Sequence, residues 1–124
     1  MTNKKPSILI VEDEGLIALH LQEVLEKSGY DITDMVPSGE DAIGCVEASV
    51  PDLILMDITL DGKLDGIETA RHIRKRSDIP IIFLTAHSQT KRLMAADDLA
   101  PYGFLGKPFD LSDVISAVEK ALHR

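Results

Sequence analysis

The chain of 124 residues predicts an α/β fold: a doubly wound, five-stranded parallel sheet with helices on both faces. Three observations carry this reading. Apolar runs at 7–11 (Ser-Ile-Leu-Ile-Val), 52–57 (Asp-Leu-Ile-Leu-Met-Asp) and 80–84 (Pro-Ile-Ile-Phe-Leu) are separated by helix-length segments. Their interiors are apolar without alternation, the pattern of parallel strands buried on both faces. The runs also lead into chemically active side chains: 7–11 into Glu12-Asp13, 52–57 onto Asp57, 80–84 into Thr85, and Tyr-Gly-Phe-Leu-Gly (102–106) into Lys107. Ligands of such sheets gather beyond the carboxyl ends of the strands. These side chains are therefore expected to converge at one edge.

The elements follow in order. The first strand is expected near 7–11 and the first helix near 14–28. That helix sets Ile17, Leu21, Val24, Leu25 and Ser28 on one face, with Gly29 as its stop. The second strand, 31–36, is the most polar and suits an edge; the helix after it, 39–49, carries Cys45 on its flank. The third strand, 52–57, leads through Ile-Thr-Leu-Asp-Gly-Lys-Leu-Asp-Gly (58–66) to a helix near 66–77. Asp61 and Asp65 each precede a glycine there and read as turn and capping residues. Pro80 opens the fourth strand, 80–85, where a missing N–H is tolerated, and Pro101 stops a fourth helix near 88–99. The fifth strand, 102–106, carries two glycines and reads as the other edge. The last helix, 111–123, starts from Asp110 as N-cap and lines up Leu111, Val114, Ile115, Val118 and Leu122. Short connections of this kind imply right-handed crossovers. With the apolar runs central, the strand order is 2-1-3-4-5, the flavodoxin-like arrangement.

Composition narrows the function. At this length residues 1–124 read as one domain. Thirteen Lys and Arg against 21 Asp and Glu give a net charge of −8, with no basic block, which argues against direct nucleic-acid binding. The single cysteine, Cys45, excludes an internal disulfide and suits a reducing compartment. No leader-like apolar region opens the chain, and no run approaches the ~18 residues of a membrane span. A cytoplasmic location is expected, with no membrane partner.

Glu12, Asp13 and Asp57 bring three carboxylates to neighbouring strand ends. Two unit charges ~4 Å apart repel by roughly 4 kcal/mol at an effective dielectric near 20. Such a cluster takes up protons or a cation, and a few hard oxygen ligands suit Mg²⁺. An Asp carboxylate beside that ion can attack a phosphoryl group. The Thr85 hydroxyl and the Lys107 ammonium can hold the oxygens of the transferred group.

With these residues assembled, the chain resembles the receiver domain of two-component response regulators over essentially its whole length. The matching stretches are 8–14 (Ile-Leu-Ile-Val-Glu-Asp-Glu), 53–58 (Leu-Ile-Leu-Met-Asp-Ile), 65–68 (Asp-Gly-Ile-Glu), 80–86 (Pro-Ile-Ile-Phe-Leu-Thr-Ala) and 104–109 (Phe-Leu-Gly-Lys-Pro-Phe). The resemblance implies a signalling switch in a phosphorelay rather than an enzyme turning over an external substrate. Asp57 accepts a phosphoryl group from a phosphohistidine of a sensor histidine kinase or phosphotransfer protein. The resemblance also implies that Asp13, Asp57 and the main-chain carbonyl of Thr59 bind Mg²⁺ directly and that Glu12 acts through a metal-bound water. Lys107 bridges to the phosphoryl group; Thr85 moves to hydrogen-bond it. Thr85 and Phe104 form the switch that alters the surface of the fourth helix, fifth strand and fifth helix toward a downstream output protein or domain. The resemblance also implies a cis Lys107–Pro108 bond and admits a phosphorylation-linked homodimer.

Three departures from the family's pattern stand out. The first acid is Glu12 rather than Asp, Phe104 replaces the frequent Tyr, and the 58–66 loop is longer than many. His20, His72 and His123 share no metal-ligand spacing and read as exposed helix residues, whereas for His87, two residues after Thr85, the resemblance implies a rate-tuning position like that of Thr59. The enzyme alternative is a haloacid-dehalogenase-type phosphatase. That family wants a second Asp two residues past the nucleophile, where Thr59 stands, and its acid pair late in the chain. A flavodoxin needs a phosphate-binding loop after the first strand, where Glu12, Asp13 and Glu14 repel phosphate. A receiver fold serving only as an interaction module has no use for the intact acidic site. The chain reads either as a stand-alone regulator or as a receiver cut from a larger protein.

Overall fold

The computed structural model describes residues 5–100 and 102–122. Strands β1 (Ser7–Val11), β2 (Asp31–Val36), β3 (Leu53–Asp57), β4 (Ile81–Thr85) and β5 (Gly103–Gly106) form one parallel sheet in the order β2-β1-β3-β4-β5. The expected order and both expected edges are present. Helices α1 (Gly15–Lys27) and α5 (Leu111–Leu122) cover one face; α2 (Gly39–Ala48), α3 (Gly66–Arg74) and α4 (Thr90–Met94) cover the other.

The two-residue period of a strand divides the core. Ile8, Ile10, Leu53, Leu55, Ile82 and Leu84 meet Ala18, Leu21 and Leu25 of α1 and Val114 and Val118 of α5. Leu9, Val11, Ile54, Met56, Ile81 and Phe83 meet Ala42 and Val46 of α2, Ile67, Ala70 and Ile73 of α3, and Leu93 of α4. Both faces of β1, β3 and β4 are thus dry, which is why these strands carry no alternation. Their carboxyl ends, Val11, Asp57 and Thr85, lie in register through the sheet, with Val11 opposite Met56 and Asp57 opposite Leu84.

Local signals set the element ends. Gly29 stops α1 with φ +96°, a conformation that costs glycine nothing. Ser38 caps α2 through Asp41 N at 3.1 Å. Asp65 caps α3 in a capping box, accepting from Glu68 N at 2.8 Å while Glu68 Oε1 accepts from Asp65 N at 3.0 Å. Asp61 lies in the preceding bend, paired with Ser38 and followed by Gly62 at φ +88°. The Asp110 carbonyl accepts from Val114 N at 3.3 Å, as the residue before α5 should. Pro80 sits one residue ahead of β4 and offers its carbonyl to Ile54 N at 3.0 Å.

Several expectations need correction. The helix expected over 88–99 is a five-residue α-helix between two 3₁₀ turns, His87–Gln89 and Asp97–Leu99. Its buried residues Leu93, Ala96 and Leu99 recur every third position. Such spacing drifts around an α-helix but stays on one side where the chain tightens to three residues per turn. Asp97 and Asp98 would also crowd a helix C-terminus, which disfavours negative charge. α3 ends at Arg74 rather than 77, where Arg76 N and Ser77 N both turn back to the Ile73 carbonyl at 3.1 Å. Leu111 is exposed, so the buried stripe of α5 centres on Val114 and Val118. On α1, Ser28 is exposed and Ala18 joins Leu21 and Leu25 inside. Pro101 and His123 lie outside the described residues.

Candidate functional site

The sheet order places the ends of β1, β3, β4 and β5 side by side, and the expected residues meet there. One carboxylate oxygen from each of Glu12, Asp13 and Asp57 lies within 4.8 Å of the others, the one such acidic group among the described residues. Glu12 and Asp57 are each 4% exposed, and Asp13 stands on the solvent side of them. Lys107 reaches in from the turn after β5, its Nζ 2.9 Å from Asp57 Oδ2 and 3.3 Å from Glu12 Oε1. That turn contains a cis Lys107–Pro108 bond, as expected, and is pinned by Lys107 N to the Thr85 carbonyl at 2.8 Å.

Burial first, then the hydrogen bond and charge of Asp57, push the Glu12 carboxyl up to about 8, although Glu14 N and Lys107 work the other way. The raised proton affinity of Glu12 and the Lys107 ammonium thus relieve part of the repulsion within the cluster. For Lys107, burial favours the neutral amine, but the Asp57 hydrogen bond and the charges of Asp57 and Glu12 outweigh it, and the net direction is upward. Glu12 Oε2 accepts from Glu14 N at 3.1 Å. Glu12 Oε1 is buried and, despite the nearby ammonium, has no hydrogen bond of good geometry. A buried oxygen so placed beside two further carboxylates fits the oxygen-rich needs of a small divalent cation.

Thr85 is buried, and its hydroxyl donates to the Ala86 carbonyl at 3.0 Å rather than toward Asp57. Thr59 and His87 are both exposed, the latter within the 3₁₀ turn that follows β4. Phe104 is 44% exposed on the edge strand, so its ring lies outward. His20 and His72 are exposed on their helices, as expected. Sequence reasoning missed Arg92 of α4, whose guanidinium pairs with the Asp65 carboxylate across 27 residues. No local pattern signals a pair so distant in sequence.

The response regulator receiver domain model matches residues 8–119. The chain belongs to this family. Among curated proteins, the receiver is 39% identical over 117 residues to the transcriptional regulatory protein PdtaR of Mycobacterium tuberculosis; the match covers 94% of this chain and 57% of that protein. The chain therefore spans little more than half the length of these relatives. Among solved structures, it is 38% identical to the signal receiver domain of a modulated diguanylate cyclase from Desulfovibrio desulfuricans G20, with a TM-score of 0.87, covering 97% of this chain and 95% of that one. The receiver domain of the Erythrobacter litoralis PhyR response regulator is 33% identical, with a TM-score of 0.84, covering 95% of this chain and 90% of that one. This receiver is thus a phosphorylation-controlled element of two-component signalling. No described helix is long and apolar enough to cross a membrane.

Proposed function

We propose that residues 1–124 form a single receiver unit in which Asp57 accepts a phosphoryl group from a phosphohistidine. The observation that carries this reading is Lys107 Nζ held 2.9 Å from a buried Asp57 carboxylate, beside two further acids at the strand ends. An Asp57 oxygen attacks phosphorus, a P–O bond forms, and the P–N bond to the donor imidazole breaks with its electrons passing to the ring. The Lys107 ammonium, already directed at Asp57, meets the negative oxygens of the incoming group. The Thr85 hydroxyl, now turned to its neighbour's carbonyl, belongs to the residue whose own carbonyl anchors Lys107 N, so one movement can re-aim both. Asp13, Asp57 and the Thr59 carbonyl are the direct ligands in this reading, with Glu12 acting through water. When bound, Mg²⁺ supplies positive charge that offsets the carboxylates and draws phosphoryl oxygens to the site.

Two experiments test this reading. A small phosphodonor such as acetyl phosphate should label the protein only when Mg²⁺ is present; equal labelling after chelation would defeat it. Mg²⁺ affinity should fall at least tenfold in Asp13→Ala and Asp57→Ala, because each loses a direct ligand. Equal affinity in wild type and both variants would rule out the site.

The proposed partners are a sensor histidine kinase or phosphotransfer protein and a downstream output protein or domain, in the cytoplasm, with a phosphorylation-linked homodimer as one mode of output. The chain acts as a switch that promotes its own phosphorylation and dephosphorylation, with Thr59 and His87 tuning the rates. Phosphorylation adds ≈ −1.5 to −2 charges beside an acidic cluster. Thr85 and Lys107 then reorganise, and the vacated space admits Phe104. Amide exchange with and without beryllofluoride should therefore differ across α4, β5 and α5, and the difference should shrink in Phe104→Ala. Changes confined to residues 12–14 and 57–66 would count against that surface as the output face.

A further inference from the structure

Two ion pairs tie α3 and its cap to the α4 region, and they differ in where they lead. Arg71 of α3 grips Asp98 in the 3₁₀ turn beyond α4, with Nε to Oδ2 at 2.8 Å and Nη2 to Oδ1 at 3.2 Å. Arg92 of α4 grips Asp65, the N-cap of α3, and its other guanidinium nitrogen bonds Gln89 Oε1 at 3.0 Å. Asp65 is fixed from its other side too, because Oδ1 accepts from Glu68 N at 2.8 Å. The next residue, Gly66, donates its N–H to the Ile58 carbonyl at 2.7 Å. It packs so tightly that a Cβ there would stand 2.1 Å from the Asp57 carbonyl oxygen and 2.8 Å from Ile58 Cα. The Arg92 pair thus runs through one turn onto the main chain of Asp57. The Arg71 pair does not.

We propose that Arg92 is a positioning residue for the phosphoacceptor: by clasping Asp65 it presses the Asp65–Gly66 turn against the backbone that carries the Asp57 carboxylate. The clasp gives α4 a link to Asp57 separate from Thr85 and Phe104. It matters because α4 is only five residues long and buries a single side chain, Leu93; besides that side chain and the Tyr102 hydroxyl on the Leu93 carbonyl at 2.9 Å, the clasp is its tie to the α3 cap. Arg92 is half exposed and Asp65 about a quarter exposed. An ion pair so placed shifts an equilibrium by about two- to fivefold, and salt weakens it. The effect is graded, suited to tuning how fast Asp57 takes up its group. This inference rests on the reading of Asp57 as phosphoacceptor, and the test separates the two.

Arg92→Gln, Arg92→Lys and Arg71→Gln would be compared with wild type in Mg²⁺-dependent labelling by acetyl phosphate and in amide exchange of the unlabelled protein. Arg92→Gln should label about two- to fivefold more slowly, with faster exchange at the Gly66 amide, and both effects should shrink at high salt. Arg92→Lys keeps the charge and should restore most of the rate. Arg71→Gln breaks a bridge of the same kind between the same regions, yet should leave labelling and Gly66 exchange at wild-type values. Equal effects of Arg92→Gln and Arg71→Gln on either readout, or none from Arg92→Gln, would overturn the proposal. Unlabelled wild type would instead defeat the phosphoacceptor reading, while Gly66 exchange would still report whether the clasp holds the turn.

Discussion

Asp57→Asn is expected to abolish labelling by a small phosphodonor in the presence of Mg²⁺, reducing it to background. Asn matches Asp in size, so the packing of β3, buried along its whole length, is preserved. What changes is the chemistry. A neutral amide is not the nucleophile that a carboxylate is, and it gives up the ion pair to Lys107 Nζ at 2.9 Å. The Glu12 carboxyl is a poor substitute acceptor, since it is buried and its Oε2 already accepts from Glu14 N at 3.1 Å. Asp13 lies on the solvent side, whereas the Lys107 ammonium pairs with Asp57 and Glu12. Peptide mapping of labelled wild type should place the group on Asp57 alone. Full labelling of Asp57→Asn, with an unchanged unfolding curve, would remove Asp57 from its proposed role.

The second large effect is on stability. Gly66→Ala should cost about 3 kcal/mol or more, at the upper end of what overpacking a closed site does. The added Cβ would stand 2.1 Å from the Asp57 carbonyl oxygen and 2.9 Å from its carbon, so main chain rather than a pliable side chain must give way. Gly15 provides the comparison, because it too is the first residue of a helix and has nothing within 4 Å of its added Cβ. There the same change should be neutral or stabilising by up to about 1 kcal/mol, because alanine loses less chain entropy. Urea unfolding of both variants measures the contrast. Because the displaced atoms belong to the phosphoacceptor, Gly66→Ala should also slow labelling. Equal midpoints for the two variants would show that the close approach at Gly66 relaxes without cost.

The sheet was legible because burial on both faces leaves a coarse signal, an unbroken apolar run, and the topology of parallel sheets then brings the run ends together. Glu12, Asp13, Asp57, Thr85 and Lys107 could therefore be placed at one edge from the sequence. The break-up of the fourth helix was not legible, because Leu93, Ala96 and Leu99 satisfy a loose helical pattern as well as a 3₁₀ one. Only the packing of all three on one side decides between them. The Arg92–Asp65 pair was invisible for another reason: it joins residues far apart in sequence that no strand end brings together, so no spacing rule contains it. Phe104 illustrates a third limit. Its position in the chain was clear, but which way an edge-strand ring faces depends on what α4 and α5 leave uncovered.

Cys45 lies on α2 against the edge strand, with Sγ 3.6 Å from Asp34 Oδ2. Burial, then the charge and hydrogen bond of Asp34, push the thiol's pKa up. Reaction with maleimides, iodoacetamide or a neighbouring disulfide proceeds through the thiolate, which this pairing makes scarce at neutral pH. Cys45 is therefore expected to react more slowly than an open thiol. A second cysteine placed at an open position would take an optical or spin probe first, so the motions of α4 and β5 could be followed without removing Cys45 from its place.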